Sequence, residues 1–262
     1  MFRTGLCSIT HRDLSVDQII ELALTCGLEG IEWGGDVHVP HGEIELAETV
    51  LDRTLAAGLL CPSYGSYYKI GHSEEDGLKF DAVLDTAEAL GVPLIRVWAG
   101  ARNSEDAPPD YVEHIAAETY RLAERAVARG IMLAFEFHNG SLTNTPAGCR
   151  ALMEAIGCEA VGTYWQPVAG ACEADNLASL LTVKPWLRHL HVFHWSKTST
   201  PEGKQTIERH PLADGVTAWR RYLEALDGSE REYWTYLEFS RNNDPEQTVQ
   251  DAAILKQLTG SE

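Results

Sequence analysis

The stretch DYVEHIAAETYRLAERAVARGIMLAFEF, Asp110 to Phe137, decides the fold. Asp110–Arg129 has the amphipathic pattern of a helix, Gly130 stops it, and Ile131–Phe137 is a short apolar run of strand type. A glycine just past a helix is the residue expected where the chain turns through a left-handed conformation into the next element. The same unit recurs upstream. Ser15 caps VDQIIELALTCG, which stops at Gly27; Glu45–Ala57 stops at Gly58; Leu78–Leu90 stops at Gly91. Four repeats of helix, glycine and strand in one half of the chain point to a regular strand–helix alternation.

Working outward, the strands read as Arg3–Ser8, Leu28–Trp33, Leu59–Tyr64, Pro93–Ala99, Ile131–Phe137, Ala160–Trp165, Leu187–Phe193 and Tyr233–Phe239. β-branched and aromatic residues mark them as strands. The second half supplies helices at Pro146–Ile156, near Asn176–Leu181, at Val216–Leu226 and at Pro245–Leu258. Alternating elements of these lengths imply parallel strands joined by right-handed crossovers. Eight such units in 262 residues fit one α/β domain, a single (β/α)8 TIM barrel over residues 1–262, close to the usual size of about 250 residues. An open doubly wound sheet is the alternative, and the absence of a glycine-rich phosphate loop after any strand argues against it.

Charge narrows the partners. With 39 acidic against 21 basic residues the formal net charge is −18, which repels nucleic acid and anionic membrane. The six cysteines form no CxxC pair and read as buried or half-buried thiols in a reducing compartment. The opening MFRTGLCSITHRD has no apolar core of a signal peptide, and no apolar run reaches about 20 residues. A cytoplasmic protein acting on a small molecule is expected, with a homo-oligomer left open.

In such a barrel the chemistry sits at the C-terminal ends of the strands, and two-residue alternation separates barrel-facing from helix-facing side chains. In IMLAFEFH the apolar Leu133, Phe135 and Phe137 share one parity, so Glu136 and His138 face the barrel mouth. By the same rule His189, His191 and Phe193 face inward from LRHLHVF, and Trp234, Tyr236 and Glu238 from YWTYLEF. Glu136, His191 and Glu238 thus reach one cavity. Buried carboxylates need a partner or a cation, and two of them around a histidine are donors that a divalent metal accepts. A hydrogen-bonded polar plug without metal is the other reading.

These residues carry a resemblance. GIEWGGDVHVP, FEFHNGSLTNTP, LRHLHVFHW and YLEF, in this order on strands two, five, seven and eight, resemble the xylose isomerase-like barrel superfamily across nearly the whole chain. That group includes sugar-phosphate isomerases and epimerases, keto-sugar 3-epimerases, inosose dehydratases and, more distantly, endonuclease IV. The resemblance implies a metal site of Glu136, Gln166, His191 and Glu238, holding Mn²⁺, Mg²⁺, Co²⁺ or Zn²⁺. Strand six departs from the family pattern: in TYWQPVAG, Gln166 stands where Asp is usual and Ala169 where His often follows. A neutral Gln still offers a carbonyl oxygen, but the shell loses a negative charge.

Other residues complete the expected site. His138 is a substrate ligand or a structural histidine. Glu32 faces inward as a substrate-side group or as an ion-pair partner of Arg96. Tyr64, Tyr67, Tyr68 and Trp98 offer aromatic faces to sugar C–H groups, with Tyr64 and Trp98 taken as substrate-binding. The long segment HWSKTSTPEGKQTIERHPLADG after strand seven reads as a functional loop carrying Lys197, Arg209 and His210; Arg209 resembles the substrate-side arginine of family members. His38 reads as a loop residue that covers the site or stays exposed. The resemblance implies an isomerase or epimerase of a small sugar, sugar phosphate or polyol ketone, with Glu136 and Glu238 exchanging a proton through an enediolate. A dehydratase using the same first step and a non-catalytic sugar-binding barrel are the alternatives.

Overall fold

The computed structural model describes residues 1–199 and 205–261. Eight parallel strands close into a barrel: β1 (Phe2–Cys7), β2 (Gly30–Gly34), β3 (Leu60–Lys69), β4 (Leu94–Trp98), β5 (Met132–Phe135), β6 (Val161–Trp165), β7 (Leu187–Val192) and, after an inserted pair β8 (His194–Ser199) and β9 (Gln205–His210), β10 (Tyr233–Leu237). Neighbours follow chain order from β1 to β7, and β10 sits between β7 and β1 to close the ring. The helices α1 (Val16–Thr25), α2 (Ile44–Ala56), α3 (Phe80–Ala89), α4 (Pro109–Val127), α5 (Pro146–Ile156), α6 (Glu173–Val183), α7 (Val216–Glu224) and α8 (Pro245–Thr259) fall between the barrel strands, with α8 after β10. This is a single (β/α)8 barrel. Among the described residues no helix is long and apolar enough to cross a membrane.

The local signals act as the sequence implies. Ser15 closes a capping box with Gln18 at the start of α1, and Thr145 and Asp244 cap helices whose first residue is proline. Gly27, Gly58, Gly91 and Gly130 all take positive φ, between 63° and 79°. The alternation also holds. Leu6, Ile31, Ile95, Val97, Leu133, Phe135, Leu190, Val192 and Leu237 belong to the core under the helices. Cys7, Leu94, Ala134, Tyr164, Trp234 and Tyr236 form a separate cluster inside the barrel.

Large rings fit inside because glycines face them. A Cβ at Gly5 would lie 2.7 Å from the ring of Tyr236, and one at Gly30 would lie 2.8 Å from Trp234. Trp234, Tyr236 and Tyr164 stack in series, with centroids 5.9 and 6.3 Å apart, and plug the barrel below its C-terminal mouth.

Three expectations are corrected. β5 ends at Phe135, so Glu136 is the first residue beyond it and its backbone N–H still reaches Val97 O at 2.9 Å. β3 runs on to Lys69 with a register shift after Gly65. The segment after β7 is not irregular: β8 and β9 pair antiparallel from His194–His210 to Ser199–Gln205, and residues 200–204 lie outside the described residues.

Candidate functional site

The barrel mouth is organised around one buried cation, Arg96, on β4. It is 1% exposed, donates Nε–H to Glu32 Oε1 at 2.9 Å, and donates Nη1–H to Glu136 Oε2. Glu32, on β2, is fully buried. It also accepts from Ser63 Oγ at 2.9 Å, Tyr164 OH at 2.7 Å and Cys7 Sγ at 3.3 Å. Burial alone would raise its pKa, but Arg96, His191 and the Tyr164 hydroxyl hold it well below the carboxylate range. Gly65 makes the arrangement possible, since a Cβ there would sit 2.5 Å from Arg96 Nη2. The Tyr67 ring covers the guanidinium at 5.0 Å.

Above this layer sits His191, fully buried on β7. Its Nε2 lies 3.4 Å from Glu32 Oε1. Its Nδ1 is surrounded by oxygens: Gln166 Oε1 at 3.0 Å, Glu238 Oε2 at 3.3 Å and Glu136 Oε1 at 3.9 Å. One N–H can serve only one of these acceptors well. Against burial, Glu238 and Glu32 raise the His191 pKa. Glu238 moves up as well, through burial and then through Glu136 and Glu32, partly offset by His191 and Arg96. Glu136 moves down, because Arg96, His191 and His138 outweigh burial.

The donor set fits a divalent cation. Ligand atoms bound at about 2.1 Å in one octahedral sphere are about 3 Å apart, which is the spacing of Gln166 and Glu238 about His191 Nδ1. Glu136 has its Oε2 held by Arg96 and by Trp98 Nε1 at 2.7 Å, leaving Oε1 turned toward His191. A histidine whose far nitrogen faces a carboxylate, here Glu32, is the usual support for a metal-ligating imidazole. The donor atoms of Cys7, His191 and Glu238 also lie within 4.8 Å of one another. We favour the set around Nδ1, since the Cys7 thiol is bonded to Glu32 and burial pushes its pKa up, away from the thiolate a metal needs.

The remaining expected residues divide. Trp98 stands at the cluster, and His138 stacks on its ring at 4.5 Å. Arg209, on β9, lies over Phe239 at 4.5 Å and Trp195 at 5.4 Å and donates to Asn243 Oδ1 at 2.7 Å. Phe137, His138, Gln166, Phe193, Trp195 and Lys197 help to line a cavity of about 360 Å³ above the cluster.

Tyr64 is not at this site. It has the helix-facing parity of β3, is fully buried, and donates its hydroxyl to Val39 O at 2.7 Å. Tyr67, three residues on, takes the place expected of it. Glu32 cannot contact substrate directly, since it is 0% exposed and occupied by Arg96, Ser63, Tyr164 and His191. His38 is buried under the loop, against Ser8 Oγ at 2.9 Å and Leu14 O at 3.1 Å. His210 contacts Ser196 Oγ at 2.6 Å, across the β8–β9 pair.

Cys7, Trp195 and Phe239 are not assigned to the site from sequence, and Tyr67 reads there only as one of several aromatic faces near it. Cys7 shares the inward parity of Gly5, a readable signal. Tyr67 and Phe239 both have positive φ, 56° and 52°, and bulky residues in that region signal strain that gathers at functional sites. No local sequence pattern announces it.

Fold and site together define a (β/α)8 barrel with a carboxylate–histidine cluster at the C-terminal mouth. The sequence matches the description of a xylose isomerase-like TIM barrel over residues 20–258, and the chain belongs to that family. No curated protein matches it. Among solved structures it is similar to the probable 3-DHS dehydratase AsbF of Bacillus anthracis, at 18% identity and TM-score 0.77, covering 97% of this chain and 98% of that one. It is also similar to the IolI protein with a bound zinc atom, at 14% identity and TM-score 0.72, covering 98% of each chain. A third is D-allulose 3-epimerase from Methylomonas sp., at 15% identity and TM-score 0.69, again covering 98% of each. At these identities the likeness is one of fold.

Proposed function

We propose that this protein is an isomerase or epimerase of a small polyhydroxylated carbonyl compound, such as a sugar, sugar phosphate or polyol ketone, dependent on a divalent metal. One observation carries the reading: Glu136 and Glu238 approach the same nitrogen of His191 from different strands, beside Gln166, which also lines the cavity at the mouth. Glu136, Gln166, His191 and Glu238 would hold the ion. When bound, it would polarise the substrate carbonyl and acidify the neighbouring C–H.

The residues supply the rest. One glutamate takes the proton next to the carbonyl and the other returns one, giving an enediolate between the two transfers. Arg96 and Trp98 hold Glu136 Oε2, so its Oε1 works from a fixed position. The stacked Trp98 and His138 rings offer an edge and a face to sugar C–H and O–H groups. Arg209, packed against the adjacent Trp195 and Phe239 rings, is available to an anionic or hydroxyl group of the substrate.

The test is proton exchange. The full chain, loaded in turn with Mn²⁺, Mg²⁺, Co²⁺ or Zn²⁺, is incubated in D₂O with aldoses, ketoses and their phosphates and followed by NMR. Deuterium at the carbon next to the carbonyl is expected, reduced about 100-fold or more in Glu136→Gln and Glu238→Gln. No exchange with any metal and any substrate sinks the reading. A dehydratase has one observation in its favour: His138 stands at the mouth outside the cluster, where it can protonate a departing β-hydroxyl. Its mark in the same experiment is ultraviolet absorbance of a conjugated enone.

A further inference from the structure

A cavity larger than the one at the mouth opens at the opposite, N-terminal end of the barrel. Its volume is about 680 Å³, within the range of small-molecule sites. That end of such barrels ordinarily serves stability. Here Leu94, Met132 and Trp234 line the cavity from the barrel interior, while Leu55 and Leu60 on its wall are 49% and 38% exposed. Exposed apolar side chains gathered around a concavity mark a binding surface.

Two of the arginines at this cavity have no carboxylate partner among the described residues. Most arginines in this acidic protein are paired, among them Arg53 with Asp17, Arg121 with Glu118, Arg125 with Asp81, Arg129 with Asp85, Arg150 with Glu154 and Arg221 with Glu173, and Arg3, which also lines this cavity, is held by Glu29. Arg188 and Arg231 line the cavity and bond only to main-chain oxygens among the described residues. Arg188 donates to Glu159 O at 2.6 Å, and Arg231 donates to Pro185 O at 2.8 Å. Arg188 Nε is buried with no hydrogen-bond partner among the described residues. Gly162 clears the space for Arg188, since a Cβ there would lie 2.4 Å from its Cγ. Burial and the like charge of Arg231 both lower the Arg188 pKa. The exposed Glu232 also lines the cavity but makes no ion pair with either arginine.

We propose that the N-terminal end of the barrel is a second binding site, for an amphipathic organic anion. Its aromatic or aliphatic body fills the apolar cavity, and its carboxylate or sulfonate head lies on Arg188 and Arg231. The site is separated from the mouth by the Trp234–Tyr236–Tyr164 plug, so occupancy of one does not require the other.

The probe is 8-anilinonaphthalene-1-sulfonate, titrated into the folded full chain and followed by fluorescence. Saturable binding at micromolar concentration is expected, displaced by decanoate and not by decanol or inorganic phosphate. Arg231→Gln, at an exposed position, and Arg188→Gln should each weaken it about fivefold or more. Leu60→Glu, on the cavity wall, should abolish it with an unchanged circular dichroism spectrum, and Glu238→Gln at the mouth should leave it unaltered. Equal affinity in the wild type and both arginine variants overturns the proposal, as does loss of binding in Glu238→Gln. Sedimentation of the same proteins gives a further check. A dimer that Leu60→Glu dissociates, without probe binding in the wild type, would assign the surface to a second copy of the chain instead.

Discussion

Replacing Arg96 with methionine tests the physical logic of the mouth. The side chain is 1% exposed and is shared by Glu32, 0% exposed, and Glu136, 4% exposed. Methionine fills much of the volume but leaves two buried carboxylates without their cation. Removing one partner of a buried pair costs about 3–5 kcal/mol. At roughly 2–4 °C per kcal/mol for a chain near this size, the melting temperature should fall by about 6–20 °C. The assay is thermal unfolding with a chelator present, so that no added cation compensates.

The pH dependence supplies the discriminating readout. In the wild type both carboxylates lie below their unfolded values. Their contribution is therefore present above the unfolded pKa, about 4.3, and is lost as pH falls through the lower folded values. In Arg96→Met burial dominates and raises both pKa values above the unfolded ones, so that the variant is penalised most where they are charged. The gap between the two proteins should be full at pH 7 and shrink steadily toward pH 4. Adding Glu32→Gln to Arg96→Met should recover part of the loss. A loss below about 1 kcal/mol at pH 7, or one equal at pH 4 and pH 7, would refute the reasoning.

Three further outcomes follow from the same geometry. Gln166→Asp adds a third carboxylate next to His191 Nδ1 and should raise affinity for Mn²⁺ or Zn²⁺ about tenfold or more by calorimetry; unchanged affinity would remove Gln166 from the ligand set. Glu32→Gln weakens the hold on His191 Nε2, and metal affinity should drop about 10–100-fold; a change under twofold would show that Glu32 does not support the imidazole. Gly65→Ala drives a methyl group to 2.5 Å from Arg96 Nη2 and should cost about 1–3 kcal/mol in denaturant unfolding; an unaltered midpoint would show that Arg96 moves freely.

Much of this architecture is legible because it is written locally. The glycine stops and the strand alternation depend on neighbours in sequence, so the barrel and the inward parity of Glu136, His191 and Glu238 can be read without coordinates. Contacts between strands distant in sequence are not written that way. Arg96 is visible as a possible partner of Glu32, yet its simultaneous hold on Glu136, on the next strand of the ring, depends on barrel closure and on Gly65. The difference between Tyr64 and Tyr67 has a similar origin. Parity already turns Tyr64 outward, while Tyr67 reaches the mouth only because β3 continues past Gly65 and the backbone takes a positive φ there. The β8–β9 pair is hidden for another reason: its strands are polar and exposed, so no buried face imposes an apolar alternation.

Gln166 acquires a definite meaning once Arg96 is placed. Three buried carboxylates, Glu32, Glu136 and Glu238, face one guanidinium, so two negative charges remain at the mouth. A neutral side chain at 166 keeps that number at two, which one divalent cation balances; an aspartate would raise it to three. Without a cation the same balance needs protons, and both His191, against its burial, and Glu238, largely through it, have their pKa moved upward. Metal binding as proposed would then displace protons from the cluster, and affinity should rise with pH. Calorimetry of the same metal titration in buffers of different ionisation enthalpy measures that release. One to two protons per ion are expected from the charge balance, and a value near zero would mean that the cluster is already deprotonated and that Gln166 does not set its charge.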